Sequence, residues 1–193
     1  GLFDGDLINT SFPPNLRDLE IDNEQNIINL DLSHLDLIRL SVSSFDPLTV
    51  TLNKNIEELF IKGTKISLNR PLSEFKNLKS LGLFEYSEEI LPSQLDSLNI
   101  VGDILGLPQK FNLVFDSPCP KLRYLKTNSL FISTLETAPT SIKILNVQNI
   151  VGFKDLKFPN IKKLIICDDL EEQVNKLFPC LEKLKVREHI EII

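Results

Sequence analysis

A chain of 193 residues, 42% hydrophobic and 25% charged, is long enough for one sizeable core and has the composition of an ordinary folded protein. Its net charge of −6 argues against nucleic-acid binding, which needs dense positive charge to displace counterions. No apolar run approaches the roughly 18 residues of a membrane span, so neither nucleic acid nor membrane is an expected partner. The charge is uneven: residues 1–97 carry 16 Asp/Glu against 8 Lys/Arg, and residues 98–193 carry 11 against 13.

The chain opens on Gly1-Leu2-Phe3-Asp4-Gly5-Asp6 and contains no methionine, as expected of an excised or processed piece. No basic region followed by an apolar core marks a signal peptide there. From Phe12-Pro13-Pro14 onward a phrase recurs: aliphatic, two variable residues, Leu, one variable residue, aliphatic. It reads Leu16 to Ile21 (LRDLEI), Leu37 to Val42 (LIRLSV), Ile56 to Ile61 (IEELFI), Leu78 to Leu83 (LKSLGL) and Leu95 to Ile100 (LDSLNI). A degenerate copy, Leu122 to Thr127 (LRYLKT), precedes Ile142 to Val147 (IKILNV), Ile161 to Ile166 (IKKLII) and Leu181 to Val186 (LEKLKV). Successive starts lie 21, 19, 22, 17, 27, 20, 19 and 20 residues apart. A period near 20 is the mark of a solenoid in which each unit buries its apolar face only against its neighbours.

Within each phrase the last Leu and the final aliphatic lie two apart, the period of a strand with one buried face. Stacking about nine of them predicts a parallel sheet within a single domain spanning 1–193, a domain that is itself expected to be part of a longer protein. Prolines at Pro13, Pro92, Pro120, Pro139, Pro159 and Pro179 mark the corners entering the strands, where a fixed φ and a missing donor do no harm. The apolar residue before each proline is expected to pack the returning side of the coil.

Returning segments read as irregular. Asp168 to Phe178 has an acidic start and apolar spacing of a short helix, and Pro71 to Leu78 that of one helical turn. Ile27 to Leu32 (IINLDL) is an additional phrase, read as a shortened coil or an alternative register. The 27-residue spacing before Leu122 predicts an insertion around Leu105 to Pro118. Apolar residues at both ends, Leu2, Phe3, Leu7 and Ile8 and then Ile190, Ile192 and Ile193, serve as caps or mark an array that once continued.

The repeated phrase resembles that of the leucine-rich-repeat superfamily over roughly Phe12 to Val186. The family's pattern places an Asn or Cys three residues after the strand. Those places here hold Glu24, Phe45, Thr64, Tyr86, Asp103, Leu130, Ile150, Asp169 and His189, so the resemblance is to a divergent subclass. The proline-before-phrase grammar is similar to FNIP-type repeats of eukaryotic microbes and to repeats of F-box proteins, although no F-box is present. The resemblance implies an α/β solenoid with a parallel concave sheet and an irregular convex side carrying few short helices. It also implies a module that binds a protein partner, as the substrate-recognition part of a larger adaptor does.

Variable residues flanking the buried strand positions then line the concave face. Phe60, Phe84, Tyr124, Ile144 and Ile165 are the expected apolar anchors, because aromatic and aliphatic groups ringed by polar ones dominate protein interfaces. Lys163, Lys183, Lys185 and Arg187 are the expected basic end, opposite an acidic start at Asp18, Glu20 and Asp22. Asn29, Asp31 and Ser33 of the additional phrase are read onto the same face. The alternative is a structural spacer or self-assembly element that stacks through its apolar ends.

Catalytic signals are weak. His34 lies in a turn, His189 near the end, and no metal-binding or nucleophile motif is present, so no enzyme activity, cofactor or metal is expected. Asp168, Asp169, Glu171 and Glu172 read as a helix start favoured by the dipole. Cys119, Cys167 and Cys180 show no paired spacing, which predicts a reducing, intracellular and cytoplasmic setting, with secretion left open by the processed start. Cys119 and Cys180 read as small core residues beside corner prolines.

Overall fold

The computed structural model describes residues 2–3, 12–23, 28–63, 65–84, 90–101, 112–118, 120–152, 157–167 and 171–187. In chain order the elements begin with β1 (Leu2–Phe3), β2 (Asp18–Asn23), β3 (Asn29–Asp31), β4 (Arg39–Ser44), β5 (Leu48–Thr51), β6 (Glu58–Lys62) and β7 (Ile66–Leu68). A 3-10 turn (Leu72–Glu74), β8 (Ser80–Leu83), β9 (Ile90–Leu91), β10 (Ser97–Ile100) and β11 (Val114–Phe115) follow. The rest is β12 (Tyr124–Phe131), α1 (Ile132–Thr137), β13 (Ile144–Val151), β14 (Lys163–Ile166), α2 (Glu171–Leu177) and β15 (Lys183–Val186).

Each of the nine phrases supplies one strand to a ten-stranded sheet ordered β1-β2-β4-β6-β8-β10-β12-β13-β14-β15, all of whose pairs are parallel. The fold is a parallel β-solenoid of about seven turns, mostly strand with very few short helices. Among the described residues no helix is long and apolar enough to cross a membrane.

The two-residue period turns two rows of side chains inward. One row is Leu19, Leu40, Leu59, Leu81, Leu98, Leu125, Leu145 and Leu164; the other includes Ile21, Val42, Ile61, Ile100, Val147 and Ile166, all buried. Thr127 fills the aliphatic place in the degenerate phrase and is buried opposite Val147. The first aliphatic of each phrase joins this core from the corner, as Ile56, Leu78, Leu95, Leu122 and Ile142 do. Burying each such side chain is worth roughly 1.5–3 kcal/mol against leaving it in water.

Corners are tight turns. The N–H of the first aliphatic donates three residues back: Leu16 to Pro13, Leu95 to Pro92, Ile142 to Pro139 and Leu181 to Phe178, at 3.0–3.2 Å. The apolar residue before the proline turns inward, so that Phe158 and Phe178 are buried with ring centroids 6.0 Å apart. Cys180, by contrast, is exposed, which corrects its reading as a core residue: the same turn that directs Phe178 inward directs Cys180 out.

The return side is more ordered than its sequence suggests. β3, β5 and β7 form a second parallel sheet, and β9 pairs with β11. Residues 28–32 of the additional phrase are therefore not a coil of their own, and Ile27 lies outside the described residues. β2 and β4 are direct neighbours, and Leu30 and Leu32 reach the same core from behind, as Leu48, Val50 and Leu52 do in the next turn. The expected single helical turn is present as the 3-10 turn Leu72–Glu74 and the helix before Phe178 as α2, while α1 is an additional helix. The predicted insertion contributes β11; its residues 105–111, with Cys119, Asp168, Asp169, His189 and the C-terminal isoleucines, lie outside the described residues.

Asp116, just after β11, ties three turns together. Its carboxylate accepts from Lys76 Nζ at 2.7 Å and from the Ser93 N–H at 2.8 Å, with its side chain 16% exposed. The Lys76 hydrogen bond, followed by those from Ser93, holds its pKa below the ordinary carboxylate value. A depressed folded pKa contributes stability above the unfolded value, near pH 4, and loses it as the pH falls through the folded value. Asp116→Asn is expected to lower unfolding free energy at neutral pH by about 1–2 kcal/mol, the worth of charge-assisted hydrogen bonds. In urea titrations the gap to wild type should close as the pH is lowered through the folded-state pKa of Asp116.

Candidate binding face of the long sheet

Residues alternating with the buried ones form ladders across the outer face of the long sheet. Strand register places Asp18, Arg39, Glu58, Ser80, Ser97, Tyr124, Ile144, Lys163 and Lys183 in one row. Glu20, Ser41, Phe60, Gly82, Asn99, Lys126, Asn146, Ile165 and Lys185 make the next. Phe84 and Arg187 follow their strands, each donating its N–H to the preceding turn, to Ile61 and Ile166. All nine residues expected to form the binding surface thus sit on or at the end of this one sheet, spread along it rather than gathered in one pocket.

Their exposure differs. Phe60, Phe84, Tyr124, Ile144 and Lys163 are half-buried, and Lys183, Lys185 and Arg187 are exposed. Ile165 is only 8% exposed, so it offers little contact area and instead packs beneath its neighbours. The Phe60 ring lies across Gly82: a Cβ at that glycine would overlap the ring. The missing side chain on β8 is what lets Phe60 lie flat along the sheet. Tyr124 is held differently, by a hydrogen bond from Asn146 Nδ2 to its hydroxyl at 2.8 Å, which satisfies the buried amide nitrogen and orients the ring. Beside them the Asn99 Oδ1 is buried without a hydrogen-bond partner among the described residues.

The acidic start needs correction. Arg39, Ser41 and Ser43 occupy the second strand of this face, not Asn29, Asp31 and Ser33, which belong to the return side. The Leu37 to Val42 phrase carried this signal, and the additional phrase competed with it. Arg39 Nε donates to Glu58 Oε2 at 2.8 Å and its guanidinium lies 3.6 Å from Asp18, so one cation spans two acids on adjacent strands. Hydrogen bonding and attraction from Glu58 raise the Arg39 pKa further. No ion pair among the described residues engages Lys126, Lys163, Lys183, Lys185 or Arg187. The acids of this face are in part internally neutralised, and its bases are presented to solvent.

Along the edge of the sheet the second residue of each phrase makes another row, and its charges pair between turns. Lys79 meets Glu57 at 2.6 Å, Arg123 meets Asp96 at 3.6 Å and Lys162 meets Glu182 at 3.4 Å. Arg17 bonds Asp36, whose pKa is lowered first by a hydrogen bond from Asn55 and then by Arg17. Exposed pairs of this sort add little stability individually, but they consume the edge charges and leave the basic end of the face distinct. His34 is exposed in its turn, and Cys167 and Cys180 are free thiols.

The Phe60–Gly82 contact yields a coupling test. Gly82→Ala should drive the ring off the sheet and cost about 1–3 kcal/mol, as overpacking does. In a Phe60→Ala background the same substitution should be close to neutral, a difference read by a double-mutant cycle of unfolding free energies.

Comparison with family models, with curated proteins and with solved structures finds no match to this chain, so its function rests on its own residues.

Proposed function

We propose that the chain is a non-catalytic protein-binding module, a divergent leucine-rich-repeat solenoid that captures its partner on the outer face of the long sheet. The observation that carries the reading is the juxtaposition on that face of half-buried apolar groups and unpaired bases. Phe60, Tyr124 and Ile144 occupy its two ladders and Phe84 its margin, followed by Lys163, Lys183, Lys185 and Arg187 without acidic partners among the described residues. Interfaces draw their energy from such anchors and their orientation and on-rate from the surrounding charge.

The partner this surface fits is a protein with an apolar ridge flanked by acidic residues. Rings pre-set by Gly82 and by the Asn146 hydrogen bond lose little freedom on binding, which lowers the entropic cost of association. A contact covering roughly 800 Å² of each partner is typical of a stable complex and would span several strands at about 4.8 Å spacing.

The test is capture by the immobilised chain from a lysate of its source cells, with variants run beside wild type. Phe84→Ala and Tyr124→Ala are each expected to weaken the captured partner by at least tenfold, the loss of a hot spot. Lys183→Glu with Lys185→Glu should slow association and flatten its salt dependence. Equal capture by all variants, each shown to be folded by circular dichroism, removes the site from this face.

A further inference from the structure

The two ends of the long sheet carry opposite charge in the same pattern. β2 presents Asp18, Glu20 and Asp22 at alternate positions, and β15 presents Lys183 and Lys185, with Arg187 just beyond it. All six side chains are exposed. Each triplet has the two-residue period of a strand, so its charges repeat at about 6.6 Å. Strand register also puts them in the same rows, Asp18 with Lys183 and Glu20 with Lys185. Asp22 and Arg187 stand two residues further along.

Elsewhere in the molecule opposite charges pair between neighbouring turns. Here they cannot, because the eight strand spacings from β2 to β15 hold them about 38 Å apart. Asp18 has its 3.6 Å contact with Arg39, and the other five make no ion pair among the described residues. Only a second molecule can bring these two ends together. A two-fold axis parallel to the strands, placed between two such faces, keeps strand direction and reverses the order of the stack. It lays β2 over β15 of the second copy, and β15 over its β2, with the rows in register. Asp18 then meets Lys183, Glu20 meets Lys185 and Asp22 meets Arg187, each pair twice, since a two-fold contact is isologous. An axis along the stack would instead set acid against acid.

From this complementarity we infer that two copies of the chain close face to face as a two-fold dimer, the acidic end of each on the basic end of the other. The inference rests on the outer face being a binding surface, and it names a second copy as one occupant. The same symmetry sets β6 and β8 opposite β13 and β12, which brings the strands of Phe60, Ile144 and Tyr124 into the middle of the contact. One like-charge approach remains: β4 lies opposite β14, with Arg39 across from Lys163, although Glu58 and Asp18 already hold Arg39. A face of about 40 by 15 Å offers roughly 600 Å² per copy, below the 800 Å² typical of a stable complex. The dimer is therefore weak and exchanges with monomer, and any other protein captured on this face displaces the second copy.

Sedimentation equilibrium of the intact chain, loaded from low-micromolar concentration upward, is expected to show a monomer–dimer equilibrium that shifts to monomer at high salt. Lys183→Glu with Lys185→Glu makes both ends acidic, and Asp18→Lys with Glu20→Lys makes both basic. Each double variant alone should dimerise at least tenfold more weakly, whereas an equimolar mixture of the two should dimerise as wild type does. That rescue cannot come from a folding defect. Lys163→Ala should tighten the dimer by removing the approach to Arg39. A chain that stays monomeric throughout overturns the inference without touching capture of a different protein, which the Phe84 and Tyr124 variants read. Open-ended assemblies larger than a dimer, a mixture that stays monomeric, or a dimer loosened by Lys163→Ala would each overturn it as well.

Discussion

One backbone contact, repeated at every turn, holds this solenoid in register. The carbonyl of the second phrase residue accepts two N–H groups from the turn that follows. Arg17 receives Ile38 and Arg39, Glu57 receives Lys79 and Ser80, Asp96 receives Arg123 and Tyr124, and Lys143 receives Lys162 and Lys163, at 2.8–3.0 Å. Because the bond is made by backbone, the side chain at that position is free to vary, and the chain uses it for charge. The contact also sets where each strand begins, so the leucine rows stay aligned through a 27-residue spacing as well as a 17-residue one. A slip of one residue would exchange the buried and exposed faces of a strand.

Side-chain amides reinforce the same corners. Gln94 Nε2 donates to the Phe75 carbonyl at 2.9 Å and Asn160 Nδ2 to the Ile142 carbonyl at 3.0 Å. Asn53 does likewise toward Leu35. Each lies within the corner before a phrase and bonds a carbonyl of the turn before it.

Charge and apolar surface divide along the molecule for a geometric reason. In a parallel stack, equivalent residues lie one strand apart, so opposite charges in neighbouring phrases meet and like charges accumulate. Asp18, Arg39 and Glu58 alternate and pair, whereas Lys163, Lys183 and Lys185 do not. The last strand also keeps its inward-row residues Leu184 and Val186 exposed, at 41% and 47%.

The period, the phrase and its two-residue alternation determined the main result by themselves: which residues are buried, which face outward, and that the strands are parallel and stacked in order. These follow from local pattern, because an apolar row that recurs every turn has only its own neighbours to pack against. All nine candidate residues could be assigned to one sheet on that basis. The return side was not legible in the same way, because strands of two or three residues such as β7, β9 and β11 carry too little periodicity to separate from loops. Only the tertiary structure decided that Asn29–Asp31 lies behind the core, that Ile165 is covered, that Gly82 makes room for Phe60 and that Arg39 bridges Asp18 and Glu58. Each is a contact between residues about 20 positions apart in different turns, and their geometry exists only once the coils have stacked.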